Sequence, residues 1–500
     1  MMDRPQPAAA PWRRMKPWLL LILLCGALLR LYGLSAESVW LDEATSILLG
    51  QEDIASMVRA TAQDIHPPLY YGLLHFWMCL LGTSEFAARA LSVCIGLTSI
   101  AVIYQLGRRL FGEQTGVVAA ILLAVSPLHV WYSQETRMYA LVALWTMAGS
   151  FWLWRALRRR RAPYWIAYAA CMALGLYTHY HALFVLLFQA CFMVIWWLLS
   201  SREKRLARDW LLAEVGIALL FLPWVPVLLE QIARGGGSWI AKGIGSPAPR
   251  ALVETWIDYS VGSVRQWYPI WVRRSAYVLF AGSLVLATMA ALRKWRQQPR
   301  SQGSMAYLFT GMYLVVSLGA VWLVSQFKPM YARRYLLPFL PPYLLLIAAG
   351  SREIPWRVWR TALLFGLAAV CLTGVALAAY YPQKDDWRTI ARYVLREAQP
   401  TDVVVLSPPW NYKPFDYYAH GQLTLYRRLP VPVPEEEDCT SLLGEAMEGH
   451  GRLWLIWPPG HYADPLASIP GCLSSRFPLL LSGDFANNIQ VRLYEIPIPR

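Results

Sequence analysis

Two adjacent carboxylates, Asp42 and Glu43, follow an apolar stretch and an aromatic anchor, Trp40, near the start of the chain. Such a pair can take a proton from an acceptor as a general base, or it can hold a divalent cation. It can equally charge the first turn of a helix on the membrane surface, because the positive end of a helix favours carboxylates. Since Trp is enriched at membrane interfaces, both interpretations place the pair near lipid.

A second candidate is His66, which lies between Asp64 and two consecutive prolines, Pro67 and Pro68. The prolines prevent a helix through this segment and present the imidazole at a fixed point. A single histidine is more often structural than functional. The nearby carboxylate favours the functional interpretation.

Two further clusters follow along the chain. Glu135 and Arg137 are able to form a surface salt bridge, but Arg137 can also bind a phosphate through its planar guanidinium. His179 lies among aromatic residues at 177–181. That segment contributes titratable imidazoles, or it is simply part of an aromatic belt.

A cationic cluster, Lys328, Arg333 and Arg334, precedes Tyr335 and an apolar segment that contains three prolines within residues 336–343. Attraction to anionic lipid headgroups explains such cations at about 1 kcal/mol each. The alternative, more specific interpretation is that these cations recognise the phosphate of a lipid-linked substrate. The prolines must kink the helix, which is able to open a groove to the bilayer.

The elements that position these residues are mainly transmembrane. Of the 500 residues, 57% are hydrophobic and 15% are charged, against about 25% charged in soluble domains. The net charge of +15 does not indicate nucleic-acid binding, because the cations lie between apolar segments. The apolar segments predict about eleven transmembrane helices, at residues 17–33, 86–106, 114–130, 138–154, 163–178, 181–200, 211–229, 274–292, 305–325, 335–350 and 361–381.

Short loops rich in Lys and Arg mark the cytoplasmic side of a membrane. Alternate loops hold 22 of the 46 Lys and Arg residues, and Arg13, Arg14 and Lys16 fix a cytoplasmic N-terminus. An odd number of spans then places residues 382–500 outside. We therefore predict a multi-pass protein of the bacterial plasma membrane.

Two domains are expected. Residues 1–381 form the transmembrane domain, with long external loops at 34–85 and 230–273, and residues 382–500 form a small extracytoplasmic α/β domain. That second domain holds two cysteines, Cys439 and Cys472. A disulfide between them is plausible in an oxidising compartment, although sequence leaves their distance open.

In order along the chain, these motifs resemble the polyprenyl-phosphate-dependent glycosyltransferases of the membrane-embedded C-type fold. The likeness is to bacterial members similar to protein O-mannosyltransferases and to the lipid A aminoarabinose transferase. It covers roughly residues 15–395 and rests on the segments Asp42–Glu43, Asp64–Leu69, Gln134–Ala140, Arg334–Pro338 and Lys384–Arg388.

The resemblance implies an inverting transfer of a sugar from a polyprenyl phosphate to an acceptor hydroxyl. Asp42 takes the catalytic role with Glu43 as its neighbour, Arg334 the phosphate role, and Glu135 matches a second acidic group of the superfamily. Metal participation varies in the superfamily, so a divalent cation stays open. The expected substrate-binding residues are Asp64, His66, Glu135, Arg137, His179, Lys328, Arg333, Arg334 and Tyr335.

The expected partners are a polyprenyl-phosphate-linked donor, membrane lipid and an extracytoplasmic acceptor, which is a glycan, a lipid or a protein. A lipid or glycan transporter is the main alternative, but such folds place their sites near the bilayer midplane in internal repeats. The sequence shows no repeat, and its ionisable groups concentrate at the predicted outer surface. A non-catalytic scaffold leaves the acidic pair and the external arginines unexplained.

Overall fold

The computed structural model describes residues 16–199, 203–235, 245–431, 433, 438–459 and 468–496. Arg13 and Arg14, which support the predicted cytoplasmic N-terminus, lie outside the described residues. The chain divides into two compact units. The membrane unit comprises residues 1–32, 53–80 and 87–381, and the sheet unit comprises residues 33–52, 81–86 and 382–500.

Helices dominate the first part of the chain. Those up to residue 233 are α1 Pro17–Leu31, α2 Leu41–Gln51, α3 Ile54–Gln63, α4 Leu69–Leu81, α5 Glu85–Phe111, α6 Glu113–Val125, α7 Pro127–Ser133, α8 Tyr139–Arg159, α9 Ala162–Thr178, α10 Ala182–Leu199, α11 Lys204–Phe221 and α12 Val225–Ala233. Those from residue 250 to 380 are α13 Arg250–Val261, α14 Ile270–Gln297, α15 Gln302–Val324, α16 Leu340–Ser351 and α17 Arg357–Tyr380.

Seven helical segments among the described residues are long and apolar enough to cross a membrane, or eight if the bent pair α6 and α7 counts as one span. The protein is therefore a multi-span membrane protein, but the predicted count of eleven is not confirmed. Three of the predicted spans are short helices: α1 has 15 residues, α9 has 17 and α16 has 12. A helix needs about 20 residues to cross the hydrocarbon core without help from its neighbours.

The span predicted at 114–130 is broken rather than continuous, because α6 and α7 meet at an angle of 61°. Pro127 opens α7 and has no N–H to continue the hydrogen bonding of α6. Arg30 of α1 compensates, since its guanidinium donates to the carbonyls of Ala124 (2.9 Å) and Leu123 (3.2 Å). The same group lies 2.9 Å from Nδ1 of His129. A fully buried cation thus stabilises the break.

The span predicted at 335–350 also begins irregularly. A 3₁₀ segment at Arg333–Phe339 contains Pro338 and precedes α16. Two tyrosine hydroxyls donate to its carbonyls, Tyr259 to Leu336 (2.6 Å) and Tyr313 to Pro338 (3.0 Å). The kink expected from the prolines is therefore present, and hydroxyls from other helices satisfy the backbone that it exposes.

The sheet unit contains the small α/β fold predicted for the C-terminal region. Its strands are β1 Val403–Leu406, β2 Thr424–Tyr426, β3 Arg452–Trp457, β4 Leu479–Phe485 and β5 Ile489–Glu495, in the order β2-β1-β3-β5-β4. The first three are parallel neighbours, whereas β5 pairs antiparallel with β3 and β4. Its helices are α18 Trp387–Glu397, α19 Tyr412–Ala419, α20 Cys439–Met447 and α21 Ser468–Arg476.

Apolar residues cover both faces of this sheet. Successive residues of β1 point to opposite faces, so Val403 and Val405 join one hydrophobic cluster and Val404 and Leu406 join the other. Helices α20 and α21 contribute to the first cluster and α18 and α19 to the second. Cys439 and Cys472 form a disulfide beside the first cluster.

Candidate functional site

The acidic pair lies in the first turn of α2, in the sheet unit. Glu43 is fully buried, and its carboxylate accepts a hydrogen bond from the ammonium of Lys384 at 3.0 Å. Lys384 is itself buried, with its side chain 8% exposed. Asp42 is half-buried, and its backbone carbonyl accepts a hydrogen bond from the hydroxyl of Ser46 at 3.0 Å. The two carboxylates therefore differ, since only Asp42 retains access to solvent.

Backbone contacts fix the segment that carries Lys384. The carboxylate of Glu37 accepts a hydrogen bond from the backbone N–H of Gln383 at 2.6 Å. On the other side, the hydroxyl of Ser38 donates to the carbonyl of Asp385 at 2.5 Å. Residues just before the acidic pair thus hold both neighbours of Lys384, which explains how an ammonium from a distant segment reaches Glu43.

A second ion pair completes this part of the sheet unit. Arg388 pairs with Glu85 through its guanidinium and donates to the carbonyl of Ser35 at 2.9 Å. Tyr418 donates to Glu85 and accepts a hydrogen bond from the N–H of Val39 at 2.6 Å. Arg388, the last residue of the segment Lys384–Arg388, therefore holds the chain that leads into α2.

The membrane unit places Asp64 beside His66, as the sequence predicts. The carboxylate of Asp64 lies 3.5 Å from Nδ1 of His66. Burial by itself raises the pKa of Asp64, but the hydrogen bond and charge of His66, together with the charge of Arg137, hold the pKa below its ordinary value. This carboxylate is ionised at neutral pH.

Tyr335 lies at the centre of an aromatic cluster formed by residues that are distant in sequence. Its ring centroid is 4.9 Å from that of His179, 5.2 Å from that of His181, 5.9 Å from that of Tyr139 and 6.3 Å from that of His66. Three of the predicted site residues, His66, His179 and Tyr335, therefore come together. We call these five residues the imidazole cluster.

The histidine at 179 is poised to act as a neutral group. Burial, followed by the neighbouring His181 and His66 and by two arginines, holds the pKa of His179 well below its ordinary value. A neutral imidazole can donate one hydrogen bond and accept another. It contributes polarity and shape rather than positive charge.

Two arginines flank the imidazole cluster and supply the charge. The guanidinium of Arg137 lies 5.7 Å from the ring centroid of Tyr139 and donates to the hydroxyl of Tyr71 at 3.4 Å. That of Arg334 lies 5.5 Å from the ring centroid of Tyr335. Aromatic faces stabilise and orient guanidinium groups. Guanidinium groups of this kind can bind an anion through their planar fork.

The remaining predicted residues have different surroundings. Arg333 donates to the carboxylate of Asp258 at 2.7 Å, and its side chain is 42% exposed. Burial raises the pKa of Asp258, and Arg333 opposes that rise. Glu135 is buried, and its carbonyl accepts a hydrogen bond from the N–H of Arg137 at 2.8 Å. Lys328 is exposed.

A cavity of about 350 Å³ lies against the imidazole cluster. Its lining includes the three histidines of the cluster, Tyr335 and Lys328. Most of the remaining lining is apolar: Ile65, Leu183, Phe184, Leu228, Ile232, Val324, Pro329 and Met330. A molecule with a polar group and a larger apolar part suits such a lining.

Sequence reasoning did not single out three functional neighbours. Lys384 belongs to the segment Lys384–Arg388, to which the sequence assigns no individual roles. The only signal for its pairing with Glu43 is that its positive charge complements the acidic pair. His181 was visible as the second imidazole of the 177–181 segment. Asp258 lies in α13 with no motif around it, so only the fold brings it to Arg333.

Among the described residues, one group of three His, Cys, Asp or Glu side chains has its ligand atoms within 4.8 Å of one another. It consists of Asp438, Cys439 and Cys472, and the two cysteines are joined in the disulfide. Asp42 and Glu43 belong to no such three-residue group within the described residues.

This chain has the fold of the C-type membrane glycosyltransferases. ArnT from Cupriavidus metallidurans in the apo state matches 95% of this chain and 97% of its own, with a TM-score of 0.61 and 13% sequence identity. The same enzyme bound to undecaprenyl phosphate matches 95% of this chain and 98% of its own, with a TM-score of 0.59 and 14% identity. A third match is the archaeal oligosaccharyltransferase AglB from Archaeoglobus fulgidus, in complex with an inhibitory peptide and a dolichol-phosphate. It matches 95% of this chain and 74% of its own, with a TM-score of 0.55 and 14% identity.

Sequence comparisons agree with this fold. Residues 65–229 match the family described as dolichyl-phosphate-mannose-protein mannosyltransferase. The undecaprenyl phosphate-alpha-4-amino-4-deoxy-L-arabinose arabinosyl transferase of Pseudomonas aeruginosa (strain UCBPP-PA14) is 25% identical over 238 residues, which are 45% of this chain. The match spans 42% of that relative's length. The resemblance to polyprenyl-phosphate-dependent glycosyltransferases of the C-type fold, indicated by the motifs, is confirmed.

Proposed function

We propose that this protein is an inverting glycosyltransferase that moves a sugar from a polyprenyl-phosphate donor to a hydroxyl of an extracytoplasmic acceptor. The observation that carries the proposal is the fold shared over 95% of the chain with ArnT, one structure of which contains undecaprenyl phosphate. The reaction needs a base for the acceptor and cations for the departing phosphate, and the sequence motifs offer both kinds of group.

Asp42 is the proposed general base. The acceptor oxygen attacks the anomeric carbon from the face opposite the phosphate, its proton passes to the carboxylate of Asp42, and the carbon–oxygen bond to the phosphate breaks with its electron pair on the leaving oxygen. Asp42 suits this role because it is half-buried, whereas Glu43 is fully buried against Lys384. Glu43 is a positioning residue, since its buried ion pair ties the first turn of α2 to the segment at Lys384.

The departing phosphate carries negative charge that a preorganised cation stabilises. Arg334 is the proposed main contact, and Arg137, Arg333 and Lys328 add positive charge in the membrane unit. Asp64, His66, Glu135, His179 and Tyr335 are proposed to line the substrate. The mostly apolar cavity next to the imidazole cluster suits the prenyl chain or an apolar part of the acceptor.

The proposed topology has about eleven spans, a cytoplasmic N-terminus and an extracytoplasmic C-terminal domain from residue 382, in the bacterial plasma membrane. The disulfide between Cys439 and Cys472 supports the location of the C-terminal domain, because disulfides persist in oxidising compartments. An alkaline phosphatase fusion after Arg500 is expected to be active, and an inactive fusion of normal abundance contradicts this topology.

The function is tested by mass spectrometry of cell-envelope glycans in a deletion strain complemented with the wild-type gene or with Asp42→Asn. We expect one glycan, lipid or glycoprotein to lose a single sugar in the deletion strain and in the Asp42→Asn strain, and to regain it with the wild-type gene. An envelope that is identical in all three strains contradicts the proposal. A transported molecule missing from the outer surface, with every glycosidic linkage intact, supports the transporter alternative instead.

A further inference from the structure

A second cavity, of about 390 Å³, lies where α5 and α8 end in the membrane unit. Besides Trp154 and Gln302, its lining consists entirely of arginines: Arg108, Arg109, Arg155, Arg158 and Arg159. These residues belong to neither the acidic pair nor the imidazole cluster. The volume lies within the range of about 300–1,000 Å³ that is usual for ligand pockets.

Among the described residues, no carboxylate lines this arginine cavity. Arg109 lies within electrostatic range of Arg108, Arg155 and Arg159, which all repel it. A neighbouring cavity at the same end shows the contrast, because Glu353 lines it and lies 3.9 Å from the ammonium of Lys294, which lines it too. The neighbouring cavity thus holds a carboxylate of the protein beside its cations.

One guanidinium group in this cavity has an unused donor. Nε of Arg109 is buried from solvent and has no hydrogen-bond partner among the described residues. A buried donor without a partner costs about 1–3 kcal/mol. An anion in the cavity would provide the missing acceptor and the missing charge.

Aromatic side chains hold another of these arginines at the membrane interface. The guanidinium of Arg155 lies 4.7 Å from the ring centroid of Tyr164 and 6.0 Å from that of Trp152, and it donates to the hydroxyl of Tyr164 at 2.9 Å. Trp and Tyr at helix ends mark the depth of lipid headgroups. The cavity therefore lies at the level where phosphates of lipids are found.

We infer that the arginine cavity binds the headgroup of an anionic phospholipid that carries two phosphates. Arginine forks match phosphate oxygens in a bidentate manner, and basic pockets between helices on the cytoplasmic side of a membrane bind such headgroups. Five guanidinium groups without an acid favour two phosphates over one. The shared chemistry is that of two neighbouring phosphate groups, so inorganic pyrophosphate is the alternative ligand that the experiment must distinguish from the lipid.

The test uses the purified full-length protein in nanodiscs of phosphatidylcholine, with diphosphatidylglycerol titrated in and bound lipid counted by native mass spectrometry. We expect saturable binding of diphosphatidylglycerol, weakened about tenfold or more by Arg109→Gln and by Arg158→Gln, because each change removes a charge-assisted hydrogen bond. Arg296→Gln is the matched control. It removes the same charge from an exposed residue of the neighbouring helix α14 that does not line the cavity, and it should bind like the wild type.

Equal binding by the wild type and both cavity variants overturns the inference, as does binding that is no stronger than that of phosphatidylcholine. Added pyrophosphate gives a third arm. If millimolar pyrophosphate occupies the cavity with the same dependence on Arg109 and Arg158, while diphosphatidylglycerol does not bind, the lipid assignment is wrong. Near-UV circular dichroism of each variant shows that weakened binding does not reflect a misfolded protein.

Discussion

The ammonium of Lys384 lies 3.0 Å from the carboxylate of Glu43, and both side chains are almost completely shielded from water. The two residues are 341 positions apart in the chain. A buried pair of this kind contributes little net stability when intact, but loss of one partner leaves an uncompensated charge. The pair therefore fixes the position of α2, on which the neighbouring carboxylate, Asp42, is half-buried.

Lys384→Met should destabilise the protein by about 3–5 kcal/mol, because it leaves Glu43 charged and buried without its cation. Glu43→Gln should also destabilise the protein, because it leaves the buried ammonium of Lys384 without its carboxylate. The double variant Glu43→Gln/Lys384→Met should recover much of the loss, since both charges are then absent. Thermal unfolding in detergent measures all three. If the two single changes simply add in the double variant, the residues are not coupled and this account of the pair is wrong.

Arg334→Ala should raise the KM for the lipid-phosphate donor about tenfold or more, because a guanidinium beside a phosphate contributes about 1.5–3 kcal/mol through a charge-assisted hydrogen bond. Arg334→Lys should restore part of the loss, since it keeps the charge but not the planar fork. Arg274→Ala removes an equal charge from an exposed residue of α14 and serves as the control. Donor kinetics equal to those of the control would reassign Arg334 to headgroup attraction.

Gly96→Ala should destabilise the protein by about 1–3 kcal/mol, because the added methyl group meets the hydroxyl of Ser133 at 2.3 Å and Nε of Arg30 at 3.1 Å. Arg30 stabilises the break between α6 and α7, and Ser133 is the last residue of α7. Gly311→Ala is the matched control, since nothing lies within 4 Å of the added atom, and it should be neutral or stabilising by up to about 1 kcal/mol. Equal unfolding temperatures in the two variants would show that the break tolerates crowding.

The stability that Asp64 contributes should depend on pH in one direction. Its pKa lies below the ordinary value of 3.8 in the folded protein, so the folded state favours the ionised carboxylate. The contribution is therefore present above the ordinary value and is lost as the pH falls through the lower, folded value. Asp64→Asn should destabilise by less than about 1 kcal/mol near pH 7, because the group is partly exposed. The difference from the wild type should shrink near pH 3, and a difference that grows at low pH would contradict this assignment.

The length of the apolar runs in the sequence made much of the fold predictable. Spans such as 86–106 and 305–325 correspond to long apolar helices because a continuous apolar run has few alternatives in a membrane. The runs at 403–406 and 453–457 became the central strands β1 and β3 for a similar local reason. The short or broken helices were harder to predict. Pro127 ends the helical run of α6, but a proline can also be tolerated within a longer transmembrane helix, so the sequence did not show the break.

Predictions for the site were limited by contacts between distant segments. The pairing of Asp64 with His66 is local and follows from the prolines that fix the turn. By contrast, Tyr335 approaches His179 because the segment before α16 packs against α8, which in turn packs against α9. The partner of Arg333 had no sequence signal, because Asp258 stands alone in an otherwise ordinary helix.

The most direct test of the central claim measures the donor itself. Total lipids are extracted from strains that carry the wild-type gene, Asp42→Asn or Glu43→Gln, and polyprenyl-phosphate-linked sugars are quantified by mass spectrometry. Asp42 lies in the first turn of α2 but does not cap it. Losing its charge there costs about 0.3–1 kcal/mol of helix-dipole stabilisation, so Asp42→Asn should leave the protein folded and at normal abundance. Loss of the general base typically slows such a reaction about a hundred- to ten-thousand-fold. One polyprenyl-phosphate sugar should therefore accumulate in the Asp42→Asn strain, together with an acceptor that lacks that sugar. A donor pool and an acceptor that both match the wild type, at normal levels of folded Asp42→Asn protein, would contradict the mechanism.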